Sequence, residues 1–260
     1  VLDALTTGDD NVSIGHISGG ALTTASKCTL IGVQAGTAIT TGGDNIAIGY
    51  GAMDGFDTEV HNLGIGRSAL GGSVAGGEYN VAIGNSSLDA LTTADNMVAI
   101  GYNAGTAITT GNKSVFIGYA AGAGVTTGSD SIFIGHEAGD GYDAETDNIG
   151  IGRSALGGPI AGGNLNVAVG NYAGDALTSG DDNVFAGYDA GGQVTTGYNN
   201  VFIGRNAGDD STTAHTCICI GKDAGTNAQD DNNAIAIGND VDSGSNNVSI
   251  GTVSYTHLTL

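Results

Sequence analysis

Apolar positions recur along this chain with a fixed step. Position 0 is taken as the Gly that closes each hexapeptide of the type "DNVFAG", "DNIAIG" or "NNVFIG". The chain then aligns on fifteen glycines, from Gly15, Gly32 and Gly49 through to Gly238 and Gly251. The step is 17 or 18 residues until the last, which is 13. Position −1 is Ile in 13 units, −3 is Val, Ile or Leu in 14, −10 is apolar in 14 and +3 is Ala in 11. Positions −3 and −1 are two apart, so they share one face of a strand; a helix needs apolar residues three and four apart. The pattern predicts one solenoid coil per unit. A short strand runs from −4 to −1, a turn follows at Gly 0, and a second segment carries −10 inward. That segment ends in pairs such as Thr6-Thr7, Thr109-Thr110 and Thr195-Thr196.

The expected fold is all-β, a single-chain parallel β-solenoid (β-roll) of about fifteen 17-residue coils. The repeat domain spans 1–251 and a non-repeat tail spans 252–260. Coils stacked ~4.8 Å apart would make a rod of roughly 70 Å. A longer period overlies the short one: "GIGRSALGG" at Gly64 returns at Gly150, so five coils form a super-repeat of 86 residues. Gly at 0, and at +4 in 9 coils, suits turns with positive φ. Asn stands at −4 in 9 coils; Asn45, Asn80, Asn166, Asn183 and Asn200 are expected to form a structural amide ladder.

In a solenoid, repeat positions become rows, and three rows are candidates for function. Position −2 lies between two positions expected to face inward, so it is expected to face out. None of its occupants is charged, and Phe116, Phe133, Phe185 and Phe202 stand there. The expectation is a lengthwise interface with other copies, with a tolerated apolar stripe or a cover from the same chain as the plainer alternative. Position +1 holds Tyr50, Arg67, Tyr102, Tyr119, Arg153, Tyr188 and Arg205, residue types common at contacts. This row is the candidate outward binding row, with a solvated ladder as the plainer alternative. The third row is acidic, at −6 and −5, and includes Asp9, Asp10, Asp44, Asp95 and Asp130. Stacked carboxylates could take calcium, but Lys27 and Lys113 interrupt the row. No other cofactor is expected.

Composition narrows the partners. The chain of 260 residues has 48 Gly, one Pro, no Trp and a formal charge of −21. With 6 Lys and Arg against 27 Asp and Glu, it lacks the basic footprint that nucleic acid requires. No apolar run is long enough for a spanning helix, so no membrane insertion by this segment is expected. Cys28, Cys217 and Cys219 form neither a disulfide framework nor a zinc motif and read as free thiols. The five histidines are spread along the chain, and no catalytic constellation forms; no enzyme activity is expected. The chain opens inside a repeat, without an initiator Met, and reads as a fragment.

The units "NNVSIG", "KSVFIG", "DSIFIG" and "NNAIAIG" resemble the head repeats of trimeric autotransporter adhesins (YadA-like heads) and the related repeats of phage tail fibres. The resemblance covers the coils through Gly251, although most coils here are longer than the commonest in those heads. It implies a left-handed β-roll, three chains side by side, and attachment to a cell-surface receptor, glycan or extracellular matrix. It places the protein outside the cell, on a bacterial surface or a virion tail fibre. It implies a structural role for Asn200, Val201, Ile203 and Gly204, and offers no binding site. The tail "TVSYTHLTL" resembles translated adapter sequence, with a native capping strand as the alternative. The expected function is therefore an adhesive fibre segment. The alternatives are an ice-binding solenoid using its Thr rows and a passive spacer.

Overall fold

The computed structural model describes residues 1–72, 76–158, 163–226 and 228–251. The tail 252–260 lies outside the described residues, as do Val74 and Ile160 of the −10 row. Every regular element among the described residues is a β-strand. They fall into two compact units, Val1–Asn148 and Ile149–Leu260.

The first unit is a parallel β-solenoid. Its strands are β1 (Val12–Ile14), β2 (Thr29–Ile31), β3 (Ile46–Ile48), β4 (Leu63–Ile65), β5 (Val81–Ile83), β6 (Val98–Ile100), β7 (Val115–Ile117) and β8 (Ile132–Ile134). Each pairs in parallel with the next, in the repeat's own register: Val98 lies beside Val115, and Val115 beside Ile132. The second unit repeats the architecture with β9 (Ile149–Ile151), β10 (Val167–Val169), β11 (Val184–Ala186), β12 (Val201–Ile203) and β13 (Ile218–Ile220). A short parallel pair follows, β14 (Gly225–Thr226) with β16 (Asp242–Ser243), interleaved with β15 (Ile235–Ile237) and β17 (Val248–Ile250) of the main sheet.

The strands stop at Gly 0 for a steric reason. These glycines have φ between 134° and 147° from Gly15 to Gly238. A Cβ on Gly101 would sit 2.1 Å from the Gly118 carbonyl oxygen of the next coil. Only Gly fits that approach. The Thr-Thr segment is a bend, not a second strand, yet it is still bonded from coil to coil. Thr6 N–H donates to the Thr23 carbonyl and Thr23 N–H to that of Thr40, each at 2.9 Å.

The core reverses one expectation. Position −2 is buried: Phe116, Phe133, Phe185 and Phe202 are at most 1% exposed and lie inside their own chain. Phe116 stacks on Phe133 with centroids 5.8 Å apart, and Phe185 on Phe202 at 5.7 Å. These four therefore face no second copy. The faces are exchanged: −3 and −1 point outward, while −4 and −2 share the inward face with −10 and the Ala at +3. Leu22, Ile39, Leu91, Ile108 and Leu177 of the −10 row are fully buried, as expected.

Two features explain the exchange. The Asn side chains at −4 are fixed in the interior, and strand periodicity then takes −2 inward with them. Side-chain volume agrees. At Ala47, Gly64, Ala82 and Gly150 the small −2 residue is matched by Met53, Leu70, Leu88 and Leu156 at +4. At Ala99 and Ala168, +4 stays Gly, because a Cβ on Gly105 or Gly174 would meet Phe116 or Phe185 of the next coil, each at 2.7 Å. Where −2 is Phe, +4 is Gly. A Cβ on Gly122 would fall 2.6 Å from Phe116, and one on Gly139 2.5 Å from Phe133. Positions −2 and +4 thus fill one shared volume.

Candidate interaction face

The outward positions −3 and −1 make an apolar face on each unit's main sheet. The residues are almost all Val or Ile, because β-branched side chains suit a pleated surface. None of them is buried. Ile46 is 38% exposed, Ile100 36%, Val169 43% and Ile203 40%. In the first unit Thr29 is the one polar residue in these two rows, and in the second unit there is none. Parallel sheets are ordinarily covered on both sides. Here the described residues of the chain cover the inner side alone.

The strand-end margin of this face is the +1 row. Tyr50, Arg67, Tyr102, Tyr119, Arg153, Tyr188 and Arg205 are all exposed, as are His16 and His136. In the first unit the rings stack on one another. Tyr102 and Tyr119 lie 5.5 Å apart at 16°, and Tyr119 and His136 4.9 Å apart at 13°. In the second unit Arg153 lies 4.7 Å from the Tyr172 ring centroid and Arg205 5.6 Å from that of Tyr188. Faces of these rings are therefore occupied within the chain, while the residues of the row stay exposed. Asn at +1 joins successive coils. Asn85 Oδ1 accepts the Arg67 N–H at 3.0 Å, and Asn171 Oδ1 that of Arg153 at 2.9 Å.

The strand-start margin is the acidic row. Its −6 members cap backbone donors of the preceding coil. Asp95 Oδ1 accepts the Glu78 N–H and Asp181 Oδ1 the Asn164 N–H, each at 2.7 Å. Asn112 Oδ1 and Ser129 Oγ do the same for Asp95 and Asn112. This shared acceptor role of Asp, Asn and Ser accounts for the −6 position without a cation. Among the described residues no group of three or more His, Cys, Asp and Glu side chains is placed to hold a metal.

The ladder residues Asn45, Asn80, Asn166, Asn183 and Asn200 are fully buried. Asn45 Oδ1 accepts the Asn62 N–H at 2.9 Å, and Asn200 Oδ1 the Cys217 N–H at 2.9 Å. Nδ2 of Asn80, Asn166 and Asn200 donates to the Ala94, Gly180 and Ala214 carbonyls. Direct amide-to-amide bonds run from Asn200 to Asn183 and from Asn183 to Asn166, at 3.1 and 3.0 Å. Elsewhere the ladder runs from amide to backbone.

The Thr pair divides its work. Hydroxyls at −9 donate to the next coil: Thr23 to the Thr40 carbonyl at 3.0 Å, Thr109 to that of Thr126 at 2.9 Å. Those at −8, such as Thr24, Thr41 and Thr110, are exposed. All three cysteines are free and buried; burial pushes the Cys219 thiol up to about 12.

The cations are placed more tightly than composition suggests. All six Lys and Arg stand on the two margins of the face: Lys27 and Lys113 at −5; Arg67, Arg153, Arg205 and Lys222 at +1. Lys222 lies against Asp223 and 3.7 Å from Asp240. The other five make no ion pair among the described residues, in a chain rich in carboxylates.

No family model matches this chain, and none of the curated proteins does.

Proposed function

We propose that this chain is a structural, adhesive fibre segment whose copies associate lengthwise through the Val/Ile face, as a homotrimer. The observation that carries the reading is the apolar face of −3 and −1 residues, broken by Thr29 alone in the first unit and continuous in the second. An apolar stripe of this kind on a strongly charged, Gly-rich solenoid is best accounted for by a partner surface that removes it from water. The iterated motif supports a trimer and an extracellular setting, on a bacterial surface or a virion tail fibre. The role is non-catalytic. After assembly the Thr bends remain outward, and the +1 row lies at the seam between copies. Receptor, glycan or matrix contact therefore falls to surfaces away from the Val/Ile face.

The mass in solution tests this. Sedimentation or native mass spectrometry at micromolar concentration is expected to give three times the chain mass. A clean monomer would remove the assembly and with it the fibre reading. The ice-binding alternative is less well supported. The −9 hydroxyls already donate to neighbouring coils, and one exposed Thr rank on a bend is left. No thermal hysteresis is expected.

A further inference from the structure

We propose that the two margins of the apolar face meet between copies: the +1 cations of one chain pair with the −6/−5 carboxylates of a second copy lying parallel to it. This rests on the Val/Ile face being the contact between copies. It adds which edges meet, and therefore the polarity of the assembly.

Among the described residues, the cations of the +1 row lack carboxylate partners in their own chain, Lys222 apart. Arg67, Arg153 and Arg205 stand exposed at +1, and no carboxylate within the described chain pairs with them. Cations free to sit anywhere on a surface this acidic would be scattered among its 27 acids. Instead they are confined to the rim of one face. Rim charges of this kind fix orientation and register between partners.

Geometry then selects the orientation. Within either unit all strands run the same way, so the face has a start edge, at −6/−5, and an end edge, at +1. Rotation about an axis parallel to the stack of coils brings the end edge of one copy to the start edge of the next. This holds for two, three or more copies. A two-fold axis perpendicular to the stack brings like edges together instead. In the second unit that would set the edge carrying Arg153, Arg205 and Lys222 against the same edge of the copy. In the first it would do the same to the edge carrying Asp9, Asp10, Asp44, Glu78, Asp95 and Asp130. Like charges facing across a contact are repulsive, whereas opposite edges are complementary between adjacent coil levels: Asp44 stands one coil from Arg67, and Asp181 and Asp182 one coil from Arg205.

Rim reversal tests it. One variant carries Arg67→Asp with Arg205→Asp, a second carries Asp44→Arg with Asp182→Arg, and a third carries all four changes. Lys27 and Lys113 already occupy −5 at positive φ, so a long basic side chain fits there. Self-association is measured by sedimentation at low salt, with the far-UV β signal as the check on folding. Each two-site variant is expected to weaken association about tenfold or more. The four-site variant, whose edges are complementary again, is expected to return to within about threefold of the wild type. A four-site variant as weak as the two-site ones, or two-site variants that associate like the wild type, would overturn the rim contact. Arg67→Gln with Arg205→Gln gives a second reading that introduces no reversed charge. It should flatten the salt dependence of association, and unchanged salt dependence would also sink the proposal. A wild type that is monomeric is a separate result and removes the underlying assembly itself.

Discussion

A Cβ added to Gly208 would sit 2.1 Å from the Phe202 ring, and one on Gly139 would sit 2.5 Å from Phe133. At the residue scale, the core is set by this exchange of volume between −2 and +4. Leu88 and Leu156 hold φ near 50° and bear the strain of a left-handed side chain to fill the space that Ala82 and Gly150 leave. Phe133→Ala alone is expected to cost about 3–5 kcal/mol, as for any large-to-small core change. Gly139→Leu alone should also destabilise, through the clash and the positive φ. Combined, they recreate the Ala82/Leu88 coil. The pair should cost at least about 1 kcal/mol less than the sum, read from denaturant melts of the three variants. Strict additivity would refute the shared volume. Rescue stays partial, because Phe133 also packs on Phe116 and on Tyr142 at 5.2 Å. Cys219 belongs to the same buried row. Its thiol, pushed up to about 12 by burial, is expected to stay unlabelled by alkylating reagents until the coil unfolds.

At the scale of the element, a three-residue strand is too short to hold a coil by itself. The Asn at −4 extends it. Asn183 Oδ1 accepts the Asn200 N–H at 3.0 Å, while its Nδ2 donates to the Gly197 carbonyl at 2.9 Å. Asn183→Ala would leave these buried groups without partners and is expected to cost about 2–4 kcal/mol by thermal melt. Asn183→Ser should cost clearly less, because Ser already serves as the acceptor in other coils. Ser114 Oγ accepts the Ser131 N–H, and Ser131 Oγ that of Asn148, each at 3.2 Å. This ladder was legible in the sequence, since one side-chain type recurred at one repeat position. The −6 ladder was not. It is shared among Asp, Asn and Ser, and counting acids alone hid their common property, a side-chain oxygen held close to the backbone.

At the scale of the whole molecule, the outer face and the charge govern behaviour. Ile100→Asp together with Ile203→Asp places one carboxylate on each unit's face. This pair is expected to convert assemblies to monomers while the β signal persists, measured by sedimentation. Acidification should stabilise the fold. Asp54, Asp89, Asp140 and Asp175 recur at +5, and burial raises each carboxyl first of all; Asp175 reaches about 6, with Asp189 adding to the rise. A raised carboxyl favours the folded state when protonated. The cost is full above pH 6 for Asp175 and fades as pH falls toward the unfolded range near 4. The melting temperature is therefore expected to rise from pH 8 to pH 5. Asp175→Asn should raise it by ~1–2 °C at pH 8 and by less at pH 4, a small effect because the group is half in solvent.

The sequence by itself determined the coil length, the parallel pairing, the register, the turn glycines and the pairing of −3 with −1 on one face. All of these follow from periodicity, and a repeat of fixed step makes periodicity unambiguous. Which face looked inward was left to the tertiary structure. A strand apolar on both sides carries no hydrophobic contrast between them, so the period of two names the faces without orienting them. Orientation comes from groups distant along the coil: buried amides at −4, Ala at +3, and the volume that +4 leaves for −2. These meet only when the coil closes. Phe133 accordingly packs within its own chain, and the face left open is the one made of Val and Ile.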